Sequence, residues 1–124
     1  MIVAETLVYD HDEAVRVCAI WQRRLRLSDW DVEVKIVRKR QLVENRLAQI
    51  SIEWHHKHAI IEMMDPIDWH DEHGRLQDHE FEIVHELLHL HTGAMHDDLD
   101  SRAEEQAINC IAGALIKAYR KESD

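Results

Sequence analysis

One proline and three glycines in 124 residues leave little that could hold a chain open or repetitive. With 45% apolar residues, the composition is that of a folded domain rather than a disordered one. The length fits a single domain spanning residues 1–124. Cysteine is scarce too. Cys18 and Cys110 form no Cys-x-x-Cys pair and read as buried thiols of a protein in a reducing compartment. No run approaches the ~18 apolar residues of a membrane span, and Met1 to Glu5 begin no signal peptide, so a cytoplasmic protein without membrane contact is expected. Cations are also few: 15 Lys and Arg stand against 25 Asp and Glu, a formal net charge of −10. Such a surface repels phosphate backbones, and no nucleic-acid partner is expected. The basic run Arg38-Lys39-Arg40 then reads as a solvated strand end or turn. The negative field could favour basic segments of a partner, though acidity of this size serves first to keep a small protein in solution.

Histidine, by contrast, is abundant, with 11 residues. Two of them stand in the stretch Phe81-Glu82-Ile83-Val84-His85-Glu86-Leu87-Leu88-His89-Leu90-His91, which contains His-Glu-x-x-His. On an α-helix His85 and His89 sit one turn apart on the same face, so both imidazoles can reach one ion. Neutral imidazole is a good Zn²⁺ ligand, and the adjacent Glu86 carboxylate can take a proton from a water the ion polarises. The surroundings favour a helix. Asp78 is a fitting N-cap, Glu80 and Glu82 fall in the first turn, and Gly93 offers a stop. Phe81, Val84, Leu87, Leu88 and Leu90 supply an apolar stripe.

Along the chain, Asp10 or Asp12 can cap a first helix running to about Leu27. Ala14, Val15, Val17, Cys18, Ile20, Trp21 and Leu25 form its apolar face. Trp30 to Ile36 alternates apolar and charged residues as a half-buried strand does. Residues 38 to 46 are polar and read as loop. Leu47 to Trp54 and Ala59 to Met63 read as two strands of a hairpin around His55–His58, and Asp65 to Gly74 as loop. A last helix from about Ser101 to Tyr119 opens on a capping-box spacing, Ser101 with Glu104. The expected fold is α+β: a small, mostly antiparallel three-stranded sheet with an N-terminal helix, the His85 helix and a C-terminal helix packed on one face. The remaining histidines, His55, His56, His58, His70, His73 and His79, read as solvated surface. Trp21, Trp30, Trp54 and Trp69 read as core or rim anchors.

A catalytic zinc takes three protein ligands and leaves one position for water. The last helix offers Glu105 and Glu104. Glu105 is preferred, because Asn109 lies four residues on and can orient a ligating imidazole, while Ala112 on that face allows close helix approach. Glu104 is the alternate, since its side carries Ala107, Ile108 and Ile111 and it can be occupied at the helix start. Asp97, Asp98 and His96 are weaker choices. A third histidine ligand of the His-x-x-Gly-x-x-His kind does not fit, because positions 92 and 95 hold Thr92 and Met95.

The two helices together resemble the ImmA/IrrE-type metallopeptidases of phages and bacteria, which are minimal zincins of the Glu-ligand kind. Those enzymes pair a His-Glu-x-x-His helix with a later Glu-x-x-x-Asn-x-Phe-Ala-x-x-Leu-Leu helix. Here the second helix reads Glu105-Gln106-Ala107-Ile108-Asn109-Cys110-Ile111-Ala112-Gly113-Ala114-Leu115-Ile116. The matched residues are confined to these two helices. The interval from His89 to Glu105 is short for the family, and Ile108 stands where a small residue is usual. The resemblance implies a zinc-dependent hydrolysis of peptide bonds in a specific protein partner, with Glu86 as general base and His85, His89 and Glu105 as ligands. An extended substrate would add to a sheet edge, with Ala59–Met63 the expected strand, and His91 or His96 are the available oxyanion donors. Two other functions suit the same residues. One is a zinc-stabilised binding module that cuts nothing, its metal closed off by His91 or Asp100. The other is an acidic decoy for a basic partner.

Overall fold

Asp10 opens the first helix, α1 (His11–Arg24), with a reciprocal capping box. Its carboxylate accepts the Glu13 N–H at 2.8 Å, and Glu13 accepts the Asp10 N–H at 3.3 Å. The structure, a computed structural model, describes residues 7–70, 76–95 and 102–120. The helix ends three residues earlier than its periodicity suggests. Arg26 adopts a left-handed φ of 63°. The Leu27 N–H then reaches back to Gln22 O at 2.6 Å and the Arg26 N–H to Arg23 O at 3.2 Å. This is a Schellman turn. It went unmarked in the sequence because an arginine occupies the place where glycine would announce it.

Three strands follow: β1 (Asp31–Val37), β2 (Ala48–Glu53) and β3 (His58–Met64). The spatial order is β1-β3-β2, with β3 parallel to β1 and antiparallel to β2. The α+β class and the β2–β3 hairpin are as expected, but the sheet is mixed rather than mostly antiparallel. Residues 38–47 are the cause. That connection is long enough to carry the chain past an empty position, which β3 later fills. The expected edge strand, Ala59–Met63, is consequently the centre of the sheet, and β1 and β2 are the edges. Register places Val32, Val34 and Ile36 beside Ala59, Ile61 and Met63, and those beside Ile52, Ile50 and Ala48. These nine residues share one face, and all belong to or pack against the main core. The opposite face carries Glu33, Lys35, Gln49, Ser51 and Glu62.

Two more helices complete the fold, α2 (His79–Thr92) and α3 (Arg102–Arg120). Asp78 caps α2 by accepting the Phe81 N–H at 3.0 Å, and Gly93 is its C-cap. α2 lies against β2, β3, α1 and α3, so Ile83, Val84, Leu87 and Leu90 are buried. Trp21 is fully buried and its indole N–H donates to Glu80, while Trp30 and Trp54 meet edge to face at the rim.

Three surface assignments change. His79 is buried, not solvated: its Nδ1 accepts the Tyr9 N–H at 2.9 Å and its Nε2–H donates to Met64 O at 3.1 Å. Cys110 is exposed, because α3 turns that face away from α2, whereas Cys18 is buried; both thiols are free. Val15 is also exposed. Among the described residues, no helix is long and apolar enough to cross a membrane. The expected Ser101 cap, His73, His96, Asp97, Asp98 and Asp100 lie outside the described residues.

Candidate metal centre

α3 crosses α2 through the row Glu104, Ile108, Ala112 and Ile116, all buried. These residues repeat every fourth position and so form one ridge. Ala112, fully buried, keeps the helices close. Glu105 stands one residue beyond that ridge, rotated by about 100°, and leans into the groove where His85 and His89 point.

The three side chains converge. Glu105 Oε2 lies 3.0 Å from His85 Nε2, and Glu105 Oε1 lies 3.2 Å from His89 Nε2. Their ligand atoms all fall within 4.8 Å of one another. Ligand atoms around a tetrahedral ion with bonds of ~2.0–2.1 Å are separated by roughly 3.3 Å, so the imidazole–carboxylate spacings match the edges of such a site. His85, His89 and Glu105 are thus a possible metal-binding triad. Two imidazole nitrogens and one carboxylate make a donor set that suits a divalent transition metal.

Glu104 takes a different part. Its Oε2 lies 3.3 Å from His89 Nδ1 and also accepts the Thr92 hydroxyl. A proton on Nδ1 toward this carboxylate would leave the Nε2 lone pair for an ion shared with Glu105. Glu104 therefore contacts the wrong nitrogen to be the alternate ligand. Asn109 hydrogen-bonds to the side chain of His85, the orienting contact its spacing from Glu105 suggests. Burial pushes the His85 imidazole below its ordinary value; Glu105 opposes that shift and the neighbouring His89 ring reinforces it. A neutral ring is the form that binds a metal.

Glu86 borders two cavities, one shared with His89 and the other with His85 and Glu105. It is 5% exposed. Burial first, then the charges of Glu82 and Glu105, push its carboxyl up to about 8, with Arg46 acting in the opposite sense. A carboxyl so placed holds a proton far more readily than one in water. The β2 residues Ile50 to Ile52 line the cavity shared by Glu86 and His89, so the sheet edge that meets the site is β2 and not the expected β3. His91 is not part of the centre. Its Nε2 donates to Leu25 O at 2.7 Å and ties the C-terminal ends of α2 and α1 together, which removes it as a fourth ligand or oxyanion donor.

Arg46, Glu82 and Thr92 border the site without any sequence signal that could have singled them out, since a loop arginine, a helix glutamate and a helix threonine are ordinary in those places. Phe81, one turn before His85, leans on its ring at a centroid distance of 6.2 Å; only the helical spacing hinted at it. Comparison with protein-family models, with curated proteins and with solved structures finds no match for this chain.

Proposed function

We propose that this chain is a zinc-dependent metallopeptidase, similar to the ImmA/IrrE-type enzymes, that hydrolyses peptide bonds in a protein or peptide substrate. The observation that carries this is the convergence of His85 Nε2, His89 Nε2 and Glu105 within 4.8 Å, beside a buried carboxylate that faces the same cleft. Held by His85, His89 and Glu105, zinc would supply Lewis acidity toward water and a peptide carbonyl. Glu86 is the general base: it takes the proton of the attacking water and passes it to the leaving amine. Its dry surroundings make the ionised form a stronger proton acceptor than an exposed carboxylate, and the positive charge of an ion at the triad would favour that ionised form. Glu104 and Asn109 fix the rings of His89 and His85, so that the lone pairs stay aimed at one point. An extended substrate chain has β2 as its neighbouring edge.

Elemental analysis of the purified protein should find about one zinc per chain, the one-site stoichiometry of a three-ligand centre. Glu105→Ala should lose it. Glu86→Gln should keep the zinc and lose peptide cleavage by ~10²–10⁴-fold, the usual worth of a positioned proton acceptor. Undiminished cleavage by Glu86→Gln would remove Glu86 from this role. Zinc without cleavage of any peptide mixture would leave a metal-stabilised binding module in place of a hydrolase.

A further inference from the structure

The run Arg38-Lys39-Arg40 is not an idle strand end. It lines a cavity of about 820 Å³, the walls of which also hold Arg46. Four cations face two carboxylates there, Glu44 and Asp68. Asp68 is already committed: it takes the Arg38 guanidinium in a two-pronged contact at 2.8 and 3.0 Å and the Lys39 backbone N–H at 2.9 Å. Among the described residues, Lys39 and Arg40 have no anionic partner. On a chain with a net charge of −10, this is a local inversion of sign inside a concave surface, where field lines concentrate. Leu42, Leu47 and Met64 add apolar wall, which suits the methylene stem of a glutamate.

The cavity is also next to the chemistry. Residues 44 to 47 line it on one side and, on the other, the cavity holding His85, Glu86 and Glu105. Arg46 borders both, together with the third cavity that runs along β2 to His89. The turn that sets this up passes through Asn45, whose φ of 69° is a left-handed conformation that asparagine tolerates.

We propose that this basic cavity is a subsite for acidic side chains, so that the peptides this chain takes carry Glu or Asp close to the bond at the triad. That the bond is cut rests on the peptidase reading; that the acidic peptide binds does not. A nucleic acid is the poorer occupant. Its successive phosphates would have to run past Glu82, Glu86 and Glu105 in the adjoining cavity, whereas a peptide places one charge among the cations and a neutral backbone over the carboxylates.

The test is fluorescence anisotropy with zinc-supplemented Glu86→Gln protein and two fluorescein-labelled peptides, one bearing a Glu-Glu pair and the other Gln-Gln in its place. The Glu peptide should bind about tenfold more tightly, equivalent to ~1.4 kcal/mol, and the preference should shrink as salt is raised. Adding Lys39→Glu and Arg40→Glu should abolish it. The milder pair Lys39→Gln and Arg40→Gln should leave a smaller preference, with far-UV circular dichroism unchanged in both. Equal binding of the two peptides, no binding of either, or a preference that survives charge reversal would overturn the subsite, as would a single-stranded oligonucleotide displacing the Glu peptide more effectively than unlabelled Glu peptide does. The two readings fail separately. Wild-type protein that cuts both peptides alike keeps the peptidase and loses the subsite; a Glu preference in binding with no cleavage keeps the subsite and loses the peptidase.

Discussion

The groove between α2 and α3 and the loop of residues 38–47 meet in one cleft, yet they hold their charges in opposite ways. In the groove Glu86, His89 and Glu104 are 5, 5 and 7% exposed, carried on helices that pack through fully buried Leu87 and Ile108. Their positions are set by the core, and polar contacts with each other, with Thr92 and with Glu105 fix the direction of His89 and Glu104. In the loop, Lys39 and Arg40 are exposed on long side chains, whereas Arg38 is clamped by Asp68. Chemistry that depends on where a proton sits needs the first arrangement. Attraction of a charged partner works with the second, because a point charge tolerates a change of rotamer.

The comparison can be broken most directly through stability. Leu87→Ala, at the root of the groove, should cost ~2–5 kcal/mol, while Arg40→Gln should stay within about 0.5 kcal/mol. Denaturant midpoints of the two variants measure both, and comparable losses would mean that the loop is as deeply built into the fold as the helices. A finer probe is Glu104→Gln. It keeps the shape of the side chain but weakens the hold on His89 Nδ1, so zinc affinity in a chelator competition should fall by ~10–100-fold with the triad itself intact. An unchanged affinity would reduce Glu104 to packing. The smallest effect is in pH. Burial holds the His79 imidazole below its ordinary 6.5, against the opposing pull of the Met64 carbonyl, Asp78 and Asp65. The folded chain therefore binds this proton less readily than the unfolded one. The resulting stability is present above about 6.5 and is lost as the pH falls through the lower folded value. His79→Gln should flatten the slope of the unfolding midpoint between neutral and mildly acidic pH; an identical slope in both proteins would assign that loss elsewhere.

What could be read in advance follows how local each signal is. The α2 helix announced itself, because Asp78, the apolar stripe and Gly93 lie within one short stretch and act on each other directly. Strand alternation likewise fixed the inward face of β1, with Val32, Val34 and Ile36 turned to the core. Strand order did not show, since nothing in Ala59–Met63 records that β1 will lie along its other side; that depends on how residues 38–47 travel. The end of α1 was hidden by an arginine in a glycine's conformation. In the centre, Glu105 could be preferred because Asn109 stands one turn away on the same helix. The contact of Glu104 with the far nitrogen of His89 joins side chains 15 positions apart and depends on helix rotation. The basic cavity was least legible. Arg38-Lys39-Arg40 looks the same whether it faces bulk water or a cleft, and only the path of the chain through Asn45 brings it beside Arg46.

Dry acidic side chains at a helix crossing are a standing weakness of the interior, because an apolar residue of similar volume there commonly makes a protein sturdier. Glu82, Glu86 and Glu104 occupy such places. A lineage without the proposed metal chemistry would accordingly drop these acids early, and sequence drift toward leucine or methionine at those positions would mark its descendants.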